Sequence, residues 1–260
     1  MAPRQPMDLN ADLGETDGDL ALMSAVSSAN IACGGHAGDR SSMAAAVEEA
    51  LAHGVAIGAH PSYADRDGFG RVELAAPAAE VAVSVLEQVA RLVGIAAEGG
   101  GSVAYVKLHG ALYHRTGRDR ACAGAILDAL EALPAGPSAV LAQPGAALLH
   151  AARERGWVSV EEGFCDRLYR PDGTLADRRE PGAVIETPEA AARQAVSIAV
   201  DGGTYAGDGT WVKLRPASLC VHGDSPGALS AARAIRSALE AAGVVVTAFA
   251  VPPAGPSGGS

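Results

Sequence analysis

The chain has 260 residues, 48% of them apolar and 4% aromatic, with a formal net charge of −10. That size and apolar content suit one large α/β domain built on Ala, Val, Leu and Ile, since a (β/α) barrel takes about 250 residues. The acidity excludes a general nucleic-acid binder, which needs a basic surface, and no apolar run reaches the roughly 18 residues that span a membrane.

The N-terminal MAPRQPMDLN lacks the apolar core of a secretion signal, so a cytoplasmic location is expected. Cys33, Cys122, Cys165 and Cys220 show no CxxC spacing, so neither disulfides nor a structural zinc is expected. Residues 1–6 and 252–260 read as disordered ends, leaving 7–251 as a single barrel domain.

Strand and helix signals alternate along the chain. MDLNADL opens as a strand, with Asp8, Asn10 and Asp12 on one face by period-two spacing. SSANIAC is a second strand. A helix follows Asp39, with Met43, Val47 and Leu51 four apart. VAIGAH is the third strand. Pro77 then opens a helix striped by Val81, Val85, Val89 and Val93. VAYVKLH is next, followed by a helix bearing Ile126, Leu127, Leu130 and Leu133. SAVLAQ, a helix after Gly145, and WVSVEEGF continue the pattern. Pro188 starts a helix that runs to Gly202. WVKLRPASLCVHG holds a seventh strand, residues 225–241 form a helix, and VVVTAFA reads as a final buried strand. Seven or eight βα units without a linker favour a single TIM-like (β/α) barrel of parallel strands, α/β in class.

Three apolar runs end in a histidine followed by a turn residue: AIGAHP at His60, YVKLHG at His109 and SLCVHG at His222. In parallel α/β folds the C-terminal strand ends gather around the active site. The other candidates fall beside such ends. Asp8, Asn10, Asp12 and Glu15 form D-x-N-x-D-x-x-E, either a pocket cluster or a polar network that fixes the barrel. SSANIACGGHAGD supplies Asn30 and His36, with Cys33 read as a small buried hydrophobe. The loop after His60 carries Arg71, which either clamps an anion or pairs with Asp65 or Asp67. Lys107 and His109 lie two apart, and a lysine aimed into a pocket calls for an anion there. Tyr113, then Glu162, Asp166 and Arg167, come from the next segments. Asp224 is either a site residue or a helix cap. Divalent metal ligation by the His and Asp residues stays open, although no HxH or HExxH spacing occurs.

Taken together, DLNADLGE, SSANIACGGHAGD, GAHPSY with GFGR, VKLHGALYH, EGFCDRLYRPDGTL and CVHGDSPGA resemble the LamB/YcsF family of 5-oxoprolinase A subunits, from Asp8 to about Val246. The resemblance implies a barrel of the glycoside hydrolase/deacetylase type. It also implies ATP-dependent opening of 5-oxo-L-proline to L-glutamate with ADP and phosphate, Mg2+ arriving with the ATP, and partner subunits B and C. In that frame Lys107 and Arg71 or Arg167 meet anionic oxygens, and Asp12 or His109 activates water. His36, His60 and His222 orient or shuttle protons, beside Asp166. Asp8, Asn10, Glu15, Asn30, Tyr113, Glu162 and Asp224 complete the substrate site. The chain departs from the family pattern at Gly35, where Phe is expected, and at Arg40, Leu108, His114 and Cys165. A stand-alone metal-dependent deacetylase or amide hydrolase is the alternative.

Overall fold

A computed structural model describes residues 4–223 and 227–249. The expected tail at 252–260, residues 1–3 and Asp224 lie outside the described residues. Among the described residues, seven parallel strands close into a barrel. The first six are β1 (Asp8–Leu13), β2 (Ser28–Ala32), β3 (Ala56–His60), β4 (Val103–Val106), β5 (Ala139–Ala142) and β6 (Val158–Phe164). A separate antiparallel hairpin, β7 (Gly203–Tyr205) with β8 (Trp211–Lys213), precedes the seventh barrel strand, β9 (Ser218–His222). Closure comes from β9, which pairs with β1 on one side (Asp12 opposite His222) and β6 on the other (Glu162 opposite Ser218).

The helices α1 (Arg40–His53), α2 (Ala78–Glu98), α3 (Gly110–Arg118), α4 (Arg120–Glu131), α5 (Ala147–Glu154), α6 (Pro188–Val196) and α7 (Ala228–Ala241) cover the barrel. Local chemistry sets their ends. Asp39 caps α1 in a reciprocal box with Ser42, at 2.9 and 2.8 Å. The α2 stripe packs as expected, with Val81, Val85 and Val89 buried. In α1 the stripe holds at Met43 and Val47 but not at Leu51, which is 42% exposed. No helix among the described residues is long and apolar enough to cross a membrane.

Two expectations are corrected. Of VVVTAFA, the described residues 244–249 form no barrel strand: Val245 and Thr247 bond Met7 around a single bridge at Val246, Val244 N donates to Leu239 O at 3.0 Å, and Val245 is 64% exposed. The sheet is already closed by β6 and β9, so no gap is left for an eighth strand. The WVK part of WVKLRPASLCVHG is likewise outside the barrel, since β8 pairs with β7 alone. The helix α3, directly after His109, has no counterpart in the sequence reading. The four cysteines are free and buried.

Inside the barrel the period-two reading of β1 holds. Asp8, Asn10 and Asp12 point into a polar interior, while Leu9, Ala11 and Leu13 are fully buried on the opposite face. The interior is narrow. Tyr105 crosses it to donate to Asn30 Oδ1 at 2.7 Å, and a Cβ on the facing Gly58 would lie 2.2 Å from its ring. Only glycine admits that approach.

Candidate active site

The polar interior divides into a closed floor and an open cavity. At the floor, Asp8 accepts hydrogen bonds from Ser27 (2.7 Å), Ser28 (2.6 Å) and Ser218. Asn10 donates to Ser218 at 2.8 Å, and Asn30 donates to Asn10 and Asp12 at 2.7 and 2.8 Å. Asp8, Asn10 and Asn30 are at most 1% exposed and do not line the cavity. The geometry supports the network reading of Asp8 and Asn10, and Asn30 joins the same network.

Burial pushes the Asp8 carboxyl up to about 6, against the three serine hydroxyls and with Glu162 adding to the rise. The folded chain thus holds this proton to higher pH than the unfolded chain. The resulting stabilisation is present below pH ~4 and is lost as pH rises through ~6. That rise corresponds to about 3 kcal/mol. Asp8→Asn is expected to remove this dependence. Urea unfolding should show the variant gaining about 3 kcal/mol on the wild type between pH 4 and pH 7.

Above the floor, Lys107 Nζ lies 3.0 Å from Asp12 Oδ1, 2.8 Å from Glu162 Oε1, 3.3 Å from Asn10 Oδ1 and 3.2 Å from Cys220 Sγ. Burial works against the ammonium, but Asp12, Cys220 and Glu162 hold its pKa well above the usual lysine value. Burial likewise opposes the Asp12 charge, yet His60 and Lys107 keep that carboxyl well below its usual range. Tyr113 donates to Glu162 Oε2 at 3.0 Å. Asp12 and Glu162 thus place two carboxylates of the protein itself against the Lys107 ammonium.

The cavity opens at the C-terminal strand ends and measures about 590 Å3. Asp12, Glu15, His60, Lys107, His109 and His222 line it, as do Tyr113, Arg71 and Arg167. His36, Glu162 and Asp166 sit behind that lining, each bonded to a residue that lines it. The expected convergence of distant strand ends is therefore present.

On one side, His222 Nδ1 lies 2.9 Å from Asp166, and the His222 backbone N–H donates to the same carboxylate at 2.9 Å. A carboxylate only accepts, so Nδ1 carries the proton and Nε2 is left as the basic nitrogen. Burial raises the Asp166 pKa, but His222 more than offsets it and keeps Asp166 ionised. The Phe164 ring stacks against His222 at 5.9 Å.

On the other side, Glu15, His36, His60 and His109 form a compact group. Glu15 Oε1 is 2.8 Å from His36 Nε2, 3.2 Å from His109 Nδ1 and 3.7 Å from His60 Nε2. Burial pushes His36 down to about 4 despite the Glu15 carboxylate beside it. Burial opposes the Glu15 charge, but the adjacent His109 and His36 rings favour it and hold the carboxyl below the usual range.

The wall of the cavity is rich in arginine. Arg71 stacks 4.9 Å from the Phe69 ring centroid. Arg167 donates to Ala176 O at 2.6 Å, while its buried Nε has no hydrogen-bond partner among the described residues. Arg170, Arg178 and Arg179 join them from the segment after β6. Sequence reasoning missed these three; the signal was the arginine density of RLYRPDGTLADRRE. Cys33 behaves as the hydrophobe expected: it is buried, its thiol is pushed up to about 12 by burial, and it contacts Ile31 O at 3.1 Å.

The departure at Gly35 has a local cause. A Cβ there would lie 2.4 Å from Gln88 Oε1 and 2.6 Å from Ser62 Oγ. Gln88 clamps Ser62 through its backbone, donating to Ser62 O at 2.8 Å and accepting from Ser62 N at 3.1 Å. Ser62 in turn meets His36 Nδ1 at 2.9 Å. Glycine therefore leaves room for a clamp that orients a site histidine.

Comparison with known proteins agrees with this picture. The 5-oxoprolinase A subunit of Streptomyces griseus subsp. griseus is 47% identical over 94% of this chain and 100% of its own length. The crystal structure of a lactam utilization protein from Thermus thermophilus matches with a TM-score of 0.87 and 43% identity, covering 94% of this chain and all of that one. A peptidoglycan N-acetylglucosamine deacetylase catalytic domain from Eubacterium rectale shares the fold alone, with a TM-score of 0.51 and 8% identity over 97% of this chain and 92% of that one. The LamB/YcsF family profile covers residues 7–253, and with the shared barrel and full-length likeness it makes this chain a member of the LamB/YcsF family.

Proposed function

We propose that this chain is the A subunit of a cytoplasmic, ATP-dependent 5-oxoprolinase that works with subunits B and C to open 5-oxo-L-proline to L-glutamate, releasing ADP and phosphate. The reading rests on the names its full-length relatives carry and on one observation. A carboxylate-oriented histidine, His222 on Asp166, faces a cavity walled by arginines on an acidic protein.

That pairing suits an activated lactam. An unstrained amide resists water, and phosphorylating its oxygen makes the ring carbon electrophilic. Water then adds at that carbon with His222 Nε2 taking its proton. The C–N bond breaks, the nitrogen leaves as an amine, and a second water releases phosphate from the acyl phosphate. Guanidinium groups match both the substrate carboxylate and the phosphoryl oxygens. Arg167 has a buried Nε to offer, and Arg71 lines the same cavity. Lys107, paired with Asp12 and Glu162, forms a fixed ion-paired plate under the site. Mg2+ would ride on the nucleotide phosphates and neutralise their charge, because Asp12 and Glu162 are already committed to Lys107.

The alternative, a stand-alone metal-dependent amide hydrolase, draws on the four-donor group around Glu15. A glutamate-release assay with 5-oxoproline separates the two. The proposal expects turnover only with ATP and all three proteins together. ATP-independent hydrolysis by this chain alone, or turnover unaffected by its omission, would overturn it.

A further inference from the structure

The group formed by Glu15, His36, His60 and His109 has a hydrogen-bonding pattern that the reaction above does not use. Each histidine has its outer ring nitrogen engaged by an acceptor. His60 Nδ1 meets Lys107 O at 2.7 Å, and His109 Nε2 meets Phe69 O at 3.0 Å. His36 Nδ1 meets Ser62 Oγ, whose own proton goes to Tyr63 O at 2.7 Å. Carbonyl oxygens cannot donate, and the Ser62 hydroxyl is spent, so all three outer nitrogens carry the ring proton.

The three inner nitrogens are then lone pairs. They face one another and a carboxylate: His60 Nε2 and His109 Nδ1 are 3.0 Å apart, and Glu15 Oε1 is 2.8–3.7 Å from all three. Four acceptors within 4.8 Å of one another need a cation between them. Outer N–H groups anchored on carbonyls or hydroxyls are also how metal-binding histidines are oriented. Donors at roughly 2.0–2.1 Å from a tetrahedral ion lie about 3.3 Å apart, which the observed spacings bracket.

We infer that Glu15, His60, His109 and His36 form a binding site for one divalent transition ion, with imidazole and carboxylate ligands of the kind that suit Zn2+ or Co2+. The rings of His36 and His109 are stacked with centroids 3.7 Å apart and planes 3° from parallel, so one of them tilts when both bind the ion. Gly35 and the Gln88–Ser62 clamp set the position from which His36 moves. The adjacent trio of Asp12, Cys220 and His222 is not equivalent, because Lys107 Nζ already lies against Asp12 and Cys220. The ion site is independent of the 5-oxoprolinase reading, since it rests on donor geometry and not on turnover.

The test is titration of the untagged, chelator-treated full chain with Co2+, read by visible absorption, followed by competition with Zn2+. One equivalent of Co2+ with a tetrahedral spectrum, displaced by one equivalent of Zn2+, is the expected result. Glu15→Gln should weaken Co2+ binding by about 100-fold or more, with circular dichroism reporting whether it folds. If that variant does not fold, His36→Gln is read in the same titration and should lose affinity or change the spectrum. Absence of stoichiometric binding by the wild-type chain at micromolar Co2+ and Zn2+ would overturn the site. So would unchanged affinity in a folded Glu15→Gln; a proton shared between His60 and His109 would then be what holds the cluster together.

Discussion

Asp166→Asn should lower the kcat for glutamate release by about 10^2- to 10^4-fold in the reconstituted assembly while leaving the fold intact. The substitution is nearly isosteric, so packing changes little. What changes is the tautomer. Asp166 now accepts from both His222 Nδ1 and the His222 backbone N–H. Asparagine has one accepting oxygen, which the backbone N–H retains. Its amide then donates to Nδ1, forcing the ring proton onto Nε2 and leaving no base toward the cavity. KM for 5-oxoproline should move far less, because the arginine wall is untouched. A variant with wild-type kcat would remove His222 from the role of base.

Lys107→Met should be the most destabilising single change in the barrel interior. The thioether would leave Asp12 and Glu162, 7% and 1% exposed, as two buried carboxylates without their shared counter-ion. Removing one partner of a buried ion pair costs about 3–5 kcal/mol. For a chain of this size that corresponds to a Tm lower by roughly 10 °C. Activity would fall too, but the stability loss distinguishes this account from one in which Lys107 serves only the substrate. Calorimetry or thermal circular dichroism measures it. A Tm within about 2 °C of wild type would contradict the ion-pair account, since surface-like pairs give only such small shifts.

The barrel and the convergence of its tips were legible because their signals are local. Polar residues at period two in β1 mark one shared face of a strand, and histidines before turn residues mark strand ends. The apolar run VVVTAFA misled because composition does not encode closure. Whether an eighth strand is needed depends on β6 and β9 meeting at Glu162 and Ser218, a contact between distant segments. The pairing of Lys107 was not legible for a related reason: its carboxylate neighbours come from β1 and β6, so the sequence around it shows a cation in want of an anion and no more. Glu15 reads from sequence as a substrate-binding residue. Its position among three histidines depends on β1, β3 and the turns after β2 and β4 ending at one level. Gln88, on α2, has no sequence signal at all; its role is visible only once Gly35 is seen to vacate the space it fills.

The most direct test of the central claim is a crystal structure of the chain, alone or with its partners, soaked with 5-oxo-L-proline. The account predicts the lactam ring in the strand-end cavity, its carboxylate on Arg167 or Arg71, and its ring carbonyl carbon on the side of His222 Nε2. Substrate density confined to another subunit, or to a surface away from His222 and Asp166, would contradict it.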